Sequence, residues 1–315
     1  MPKIPHFEDV LAAAERIAPH IHRTPVMTSR ALDAMTGAQL FFKAENFQKV
    51  GAFKARGGCN AVFSLTETEA ARGVATHSSG NHAQALAYAA GLRGIPATIV
   101  MPEDAPPVKV AAVRGYGATI VWAGSQPLDR ERELEAVLAE TGAVFIHPSN
   151  DARVIAGQGT AALELLEDMP DLDVVLVPVG GGGLLAGTAL AVAGRGQGCV
   201  TLGAEPAAVD DAARSLRDGR IHPPTGAVTV ADGLRTFLGD MNFPILREHV
   251  HEIVTVSEAG IVAAMRQVWE RMKLVIEPSA AVPVAALFEH PARFQGQRVG
   301  IILSGGNVDL TCLPW

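Results

Sequence analysis

Short apolar runs alternate with amphipathic stretches along most of this chain, and few folds tolerate that alternation. The runs Val74–Ser78, Ala97–Met101, Thr119–Trp122 and Val144–Ile146 read as strands, with helices between them at Ala83–Leu92, Val108–Tyr116 and Arg130–Glu140. A second series has strands at Val174–Val179, Cys199–Glu205, Ile253–Val256 and Val299–Leu303, and helices near Gly157–Glu167, Leu184–Ala193, Glu258–Arg271 and Ser279–Phe288. Apolar strands without a polar alternate face, joined by helices, predict α/β architecture with parallel-rich sheets covered on both faces. Leu40–Lys43 reads as one further strand, and the first 72 residues alone would make a marginal core. The expected division is therefore a large domain, 1–72 plus 148–315, and a small domain, 73–147. The Pro- and Gly-rich piece His222–Gly233 is the best candidate for a long functional loop.

Hydrophobic residues make up 48% of 315, ample for two cores. No apolar run approaches the roughly twenty residues of a membrane helix, and Met1–Glu8 lacks a signal peptide's apolar stretch, so a cytoplasmic protein is expected. A net charge of −7 with no long Lys/Arg run argues against a nucleic-acid partner. Cys59, Cys199 and Cys312 show neither CxxC spacing nor nearby His ligands, which disfavours disulfides and zinc.

Three strand ends carry small residues that bare backbone N–H groups: Ser78-Ser79-Gly80-Asn81-His82, Gly180 to Gly183, and Ser304-Gly305-Gly306-Asn307. In open α/β sheets ligands collect at such edges, and a following helix favours an anion. One such turn suits a phosphate, another a carboxylate. Each glycine cluster by itself reads equally well as a tight turn. Lys54 adds an amine that can form an imine, and an imine-forming amine with a phosphate-holding turn is what covalent binding of pyridoxal 5'-phosphate (PLP) requires. Two other readings stay open. Gly181-Gly182-Gly183-Leu184-Leu185-Ala186 satisfies G-x-G-x-x-G/A with Glu205 about twenty residues on, as an NAD-binding Rossmann oxidoreductase would have it. A non-catalytic amino-acid-sensing module would keep the pockets without needing Ser79.

Taken in order, Phe53-Lys54-Ala55-Arg56-Gly57, the Ser78–His82 turn, Ile155-Ala156-Gly157-Gln158-Gly159-Thr160, Gly180 to Gly183, Glu270-Arg271-Met272-Lys273 and Ser304 to Leu310 resemble the fold-type II (tryptophan synthase β-like) PLP enzymes. The branch is that of serine racemase and the serine/threonine dehydratases, including hydroxyaspartate dehydratases. The resemblance implies a large PLP-binding domain, a small mobile domain and a homodimer. It also implies that Lys54 forms the imine, Phe53 shields one cofactor face, Gly180, Gly181, Gly182 and Gly183 hold the phosphate, Asn81 bonds the ring 3-hydroxyl and Ser304 meets the pyridine nitrogen. A hydroxyl there holds that nitrogen protonated less well than a carboxylate, which favours loss of a β-hydroxyl.

Lys54 would then be the base for the α-proton and Ser79 the second acid/base on the opposite face, giving β-elimination to a 2-oxo acid and ammonia, with racemisation as a companion activity. Ser79 as a helix-capping or carboxylate-binding hydroxyl, and Asn81 as a helix cap, are the plainer readings. Ser78, Ser79, Gly80, Asn81, His82, Arg130, Ser149 and Asn150 are the expected substrate contacts. Glu205, Asp211 and the carbonyl of Val209 resemble this branch's Mg²⁺ or Ca²⁺ site; alternatively both acids sit in the first turns of a helix opened by Pro206. Gln84 and Lys273 match nucleotide-effector positions of some racemases, although both residue types are common on exposed helices. His147-Pro148-Ser149-Asn150 departs from the branch's usual pattern, which leaves L-serine, L-threonine and 3-hydroxyaspartate as substrates. The last needs a further cation, for which Arg130, Arg235 or His147 could serve.

Overall fold

The computed structural model describes residues 4–78, 80–105, 107–124 and 126–315. Ten strands form two sheets: β1 (Val26–Met27), β2 (Gln39–Ala44), β3 (Val74–His77), β4 (Ala97–Pro102), β5 (Thr119–Ala123), β6 (Val144–Phe145), β7 (Val174–Pro178), β8 (Val200–Pro206), β9 (Val250–Val256) and β10 (Arg298–Leu303). The six-stranded sheet runs β1-β2-β10-β7-β8-β9 and is parallel except where β1 pairs with β2. The four-stranded sheet runs β5-β4-β3-β6 and is wholly parallel.

The apolar runs are continuous because both faces of each sheet are covered. Along β7, Val174 and Leu176 enter one core while Val175 and Val177 enter the other. Around β3, Val74 packs with Leu86, Ile99 and Met101, and Ala75 on the opposite face with Val100, Leu134 and Val137. The boundary drawn at residue 72 does not coincide with this packing. Cys59, Ala61, Val62, Leu65 and Ala70 bury their side chains with the four-stranded sheet.

The helix Lys54–Phe63 lies between the two units at backbone range. A Cβ at Gly58 would stand 2.9 Å from the Ala85 carbonyl oxygen in the helix Asn81–Arg93. On its other flank, the Gly57 N–H donates to Gln158 Oε1 at 3.0 Å in the helix Ala152–Asp168. Behind it lies a buried ion cluster. Arg56 donates to both carboxylate oxygens of Glu45 at 2.7 and 2.8 Å and to both of Glu164 at 2.7 and 2.9 Å. Lys43 Nζ completes the set, 2.6 Å from Glu164 and 2.7 Å from the Thr24 carbonyl.

Candidate active site

The carboxyl ends of the parallel strands converge on Lys54. The chain before it is tied to the end of β10, with Ala52 bridging Gly305 and the Phe53 N–H donating to the Ser304 carbonyl at 3.0 Å. This places Lys54 beside the buried Ser304. Lys54 Nζ donates to the Pro148 carbonyl at 2.7 Å, in the loop after β6, and lies 5.2 Å from the Phe53 ring centroid. Burial lowers its pKa to about 8, opposed by the negative charge of Glu277. A sizeable fraction of the amine is therefore neutral near physiological pH. Labelling of Lys54 by an amine-selective reagent should be half-maximal near pH 8 and level off about a unit above it, read by peptide mass; a rise continuing beyond about pH 10, as for an ordinary lysine, would contradict the environment described.

β7 ends in the glycine turn, and the helix Gly183–Arg195 follows it. Gly182 sits at φ +78°, which disfavours any side chain. A Cβ at Gly180 would come 2.8 Å from Leu234 Cα, one at Gly183 2.9 Å from the Ser149 carbonyl oxygen, and one at Gly181 would meet Ser149 Oγ. The N–H groups of Gly180, Gly181 and Gly182 donate to no backbone acceptor among the described residues. A side-chain-free turn with unused donors at a helix N-terminus suits a phosphate, and the neutral fraction of the Lys54 amine suits an aldehyde, so the residues present fit PLP.

At the end of β3, Ser79 lies outside the described residues. Ser78 Oγ accepts from the Gly80 N–H at 3.2 Å. Gly80, not Asn81, is the N-cap of the following helix. Asn81 instead directs Nδ2 to both oxygens of Glu277 at 3.1 Å, and its Oδ1 accepts from Asn307 Nδ2 at 2.8 Å. His82 is buried with Nε2 3.1 Å from the Ile146 carbonyl, and burial holds its pKa well below the usual value. Gln84, matched above to a nucleotide-effector position, is buried in the same helix. Lys273 is exposed and donates to the Glu270 carbonyl at 2.6 Å.

The loop after β6 carries His147, whose Nδ1 accepts from the N–H groups of Ser149 at 3.1 Å and Asn150 at 2.8 Å. Burial, with His77 and Lys54 nearby, lowers its pKa to about 4, so the neutral ring carries its proton on Nε2. His77, at the end of β3, is 6.5 Å from it between ring centroids. Arg130 bears on His77 electrostatically, and its Nε is buried without a partner among the described residues. Asn150 is committed elsewhere: its amide donates to Asp240 at 2.8 Å and accepts from the Met241 N–H at 3.0 Å. Arg235 is held by two donations to the Thr229 carbonyl.

Glu205 and Asp211 are buried together at the end of β8. The helix beside them is Asp211–Asp218, and Pro206 closes β8 rather than opening that helix, as the sequence had suggested. Glu205 caps it from outside, accepting from the N–H groups of Ala212 at 3.0 Å and Ala213 at 2.8 Å. Burial raises Glu205 to about 8 and Asp211 to about 6, and Asp211 Oδ2 has no partner among the described residues.

Glu277 is the site residue that sequence reasoning missed. Its only signal is a lone acid in the apolar run Leu274-Val275-Ile276-Glu277-Pro278.

Comparison with known proteins settles the class. The pyridoxal-phosphate dependent enzyme family matches residues 17–305. The chain belongs to that family. Among its relatives, beta-hydroxyaspartate dehydratase of Paracoccus denitrificans (strain Pd 1222) is 53% identical over 99% of both chains. Serine racemase of Oryza sativa subsp. indica is 48% identical over 96% of this chain and 90% of its own. The solved structure of maize serine racemase superposes with a TM-score of 0.96 at 47% identity, over 98% of this chain and 95% of the other. A PLP-family enzyme of fold type II thus displaces the NAD-binding reading. Glu205, which that reading sends to a ribose hydroxyl, is occupied as a helix cap. Among the described residues no helix is long and apolar enough to cross a membrane.

Proposed function

We propose that this enzyme catalyses β-elimination of a β-hydroxy amino acid to a 2-oxo acid and ammonia, with Lys54 as its base. What carries the reading is one juxtaposition: a buried lysine amine, neutral in part near physiological pH, bonded to Pro148 beside Ser149, which packs against the four-glycine turn. Bound PLP supplies the electron sink that acidifies the substrate's α-C–H. The residues that would hold the cofactor are Gly180 to Gly183, whose backbone N–H groups would take the phosphate, Ser304, which would meet the pyridine nitrogen, Phe53, which would cover one face, and Asn81, which would bond the ring hydroxyl. Lys54 removes the α-proton. On the family resemblance, Ser79 would supply the second proton-transfer group that racemisation needs, and the residues of Ser78–His82 would take the substrate carboxylate.

Between L-serine or L-threonine and 3-hydroxyaspartate, the donors on either side of His77 favour 3-hydroxyaspartate, with oxaloacetate as product. Arg130 Nε is buried without a partner among the described residues, and the neutral His147 ring carries an N–H on Nε2; a second carboxylate would accept from both. The 53% identity to a beta-hydroxyaspartate dehydratase supports the same choice. In a 2-oxo-acid assay over L-Ser, D-Ser, L-Thr and the hydroxyaspartate isomers, a hydroxyaspartate should exceed serine in kcat/KM by about a hundredfold. Release of no oxo acid from any of them by protein that has bound PLP would overturn the elimination reading.

The same proposal places Mg²⁺ or Ca²⁺ at Glu205, Asp211 and the Val209 carbonyl, completed by waters, since buried carboxylates with raised pKa values and an unpartnered oxygen are stabilised by a hard cation. Adding Mg²⁺ after chelation should raise the melting temperature by several degrees, as expected for a ligand bound at about a hundred times its Kd. No change with either ion would dismiss the site. A homodimer, a mobile small domain and a cytoplasmic location belong to this proposal on the family resemblance.

A further inference from the structure

Glu277 and Asn307 take no part in the chemistry assigned above, yet both reach Asn81 and together leave its amide no choice of orientation. Glu277 precedes the helix Pro278–Glu289, and its own N–H is anchored on the Gly305 carbonyl at 3.0 Å. Glu277 is 5% exposed, and its carboxylate accepts from Asn81 Nδ2 on both oxygens, each at 3.1 Å. Asn307 Nδ2 donates to the Val50 carbonyl at 2.7 Å and to Asn81 Oδ1 at 2.8 Å. A main-chain carbonyl only accepts, so Val50 fixes which end of the Asn307 amide reaches Asn81, and the ionised form of Glu277 likewise only accepts from Nδ2. Turning the Asn81 amide over would set oxygen against Glu277 and nitrogen against the nitrogen of Asn307. Lys54, Lys109 and Asp232 are the other charged groups that act on Glu277 or feel its charge, and burial pushes the Glu277 carboxyl up to about 7.

We propose that Glu277 and Asn307 are positioning residues that lock the Asn81 amide in one orientation, so that Asn81 meets the cofactor's ring oxygen as an N–H donor. One hydrogen of Nδ2 serves the Glu277 carboxylate and the second is spare, whereas Oδ1 is engaged by Asn307. A donor at that position favours the deprotonated ring oxygen, with the proton on the lysine nitrogen. The inference rests on the placement of Asn81 against the ring.

Two readouts test it besides turnover: the Kd for PLP from titration of apoprotein, and the ratio of the two absorption bands that report whether the proton sits on the ring oxygen or on the lysine nitrogen. Glu277→Leu and Asn307→Asp should each raise the Kd about tenfold or more and shift the ratio toward the protonated ring oxygen, because each removes or opposes one lock. Glu277→Gln, which can still offer an oxygen to Nδ2, should stay near the parent in both. Asn307 is partly exposed, so Asn307→Asp keeps the test open if Glu277→Leu does not fold. Asn81→Ala separates two failures. If it leaves both readouts unchanged, Asn81 does not face the cofactor and the site assignment fails; if it shifts them while Glu277→Leu and Asn307→Asp do not, the lock is refuted.

Discussion

Replacing Lys54 by alanine should lower 2-oxo-acid release by about ten-thousand-fold or more, because one side chain is both the covalent anchor and the positioned base. The geometry makes substitution by another lysine improbable. Lys43, the other lysine in the interior, is locked to Glu164 and Thr24 behind the helix that Lys54 opens, and Lys109 bonds Asp232. The fold should survive, since among the described residues Nζ of Lys54 makes a single hydrogen bond, to Pro148, and its main chain is held by the bridge between Ala52 and Gly305. Borohydride treatment of the parent holoenzyme should add cofactor mass at the peptide bearing Lys54 and nowhere else. A variant within about tenfold of the parent, or mass at another lysine, would remove Lys54 from the centre of the chemistry.

The largest effect on stability is expected at Arg56. Its guanidinium is fully buried and answers two carboxylates, Glu45 and Glu164, while Lys43 answers Glu164 from the other side. Formal charges in the cluster cancel, so Arg56→Leu leaves two buried acids with one cation. Breaking a buried network in this way costs about 3–5 kcal/mol, far more than losing an exposed ion pair. The loss should appear as a lower midpoint of urea denaturation, and a change below about 1 kcal/mol would mean that water reaches the cluster. pH gives a second signature. Burial works to raise Glu164, but Arg56 and Lys43 outweigh it and hold the folded-state pKa below the ordinary value. Its contribution is therefore present above the ordinary carboxylate pKa and is lost as pH falls through the folded one. In Arg56→Leu burial acts with less opposition, so the variant should lose less stability than the parent on acidification.

Much of the architecture is legible in the chain, for a physical reason. Val174–Val179 and Val299–Leu303 are apolar throughout because each strand is covered on both faces, and that pattern is local. β1 escapes notice because Val26 and Met27 become a strand only through pairing with Lys43 and Phe42. The helix Lys54–Phe63 carries two adjacent glycines and an asparagine, a weak helix former, and is held by long-range bonds such as Asn60 Nδ2 to the Arg153 carbonyl at 2.7 Å. The site divides likewise. Lys54 and the four glycines stand out by chemistry and spacing, whereas the roles of Glu277 and Asn307 exist only across sequence separations of 196 and 226 residues from Asn81. The commitment of Asn150 to Asp240 and Met241 is equally invisible to local pattern.

The close approach of Gly57 and Gly58 to their neighbours has a consequence for motion. A rod wedged without slack between two bodies acts as their common axle, and points on an axle travel least. If the small domain moves as proposed, the four-stranded sheet would turn about Lys54–Phe63, and the amine at the start of that helix would shift least. Bulk added at position 58, against the Ala85 main chain, would therefore spoil the bearing rather than the chemistry.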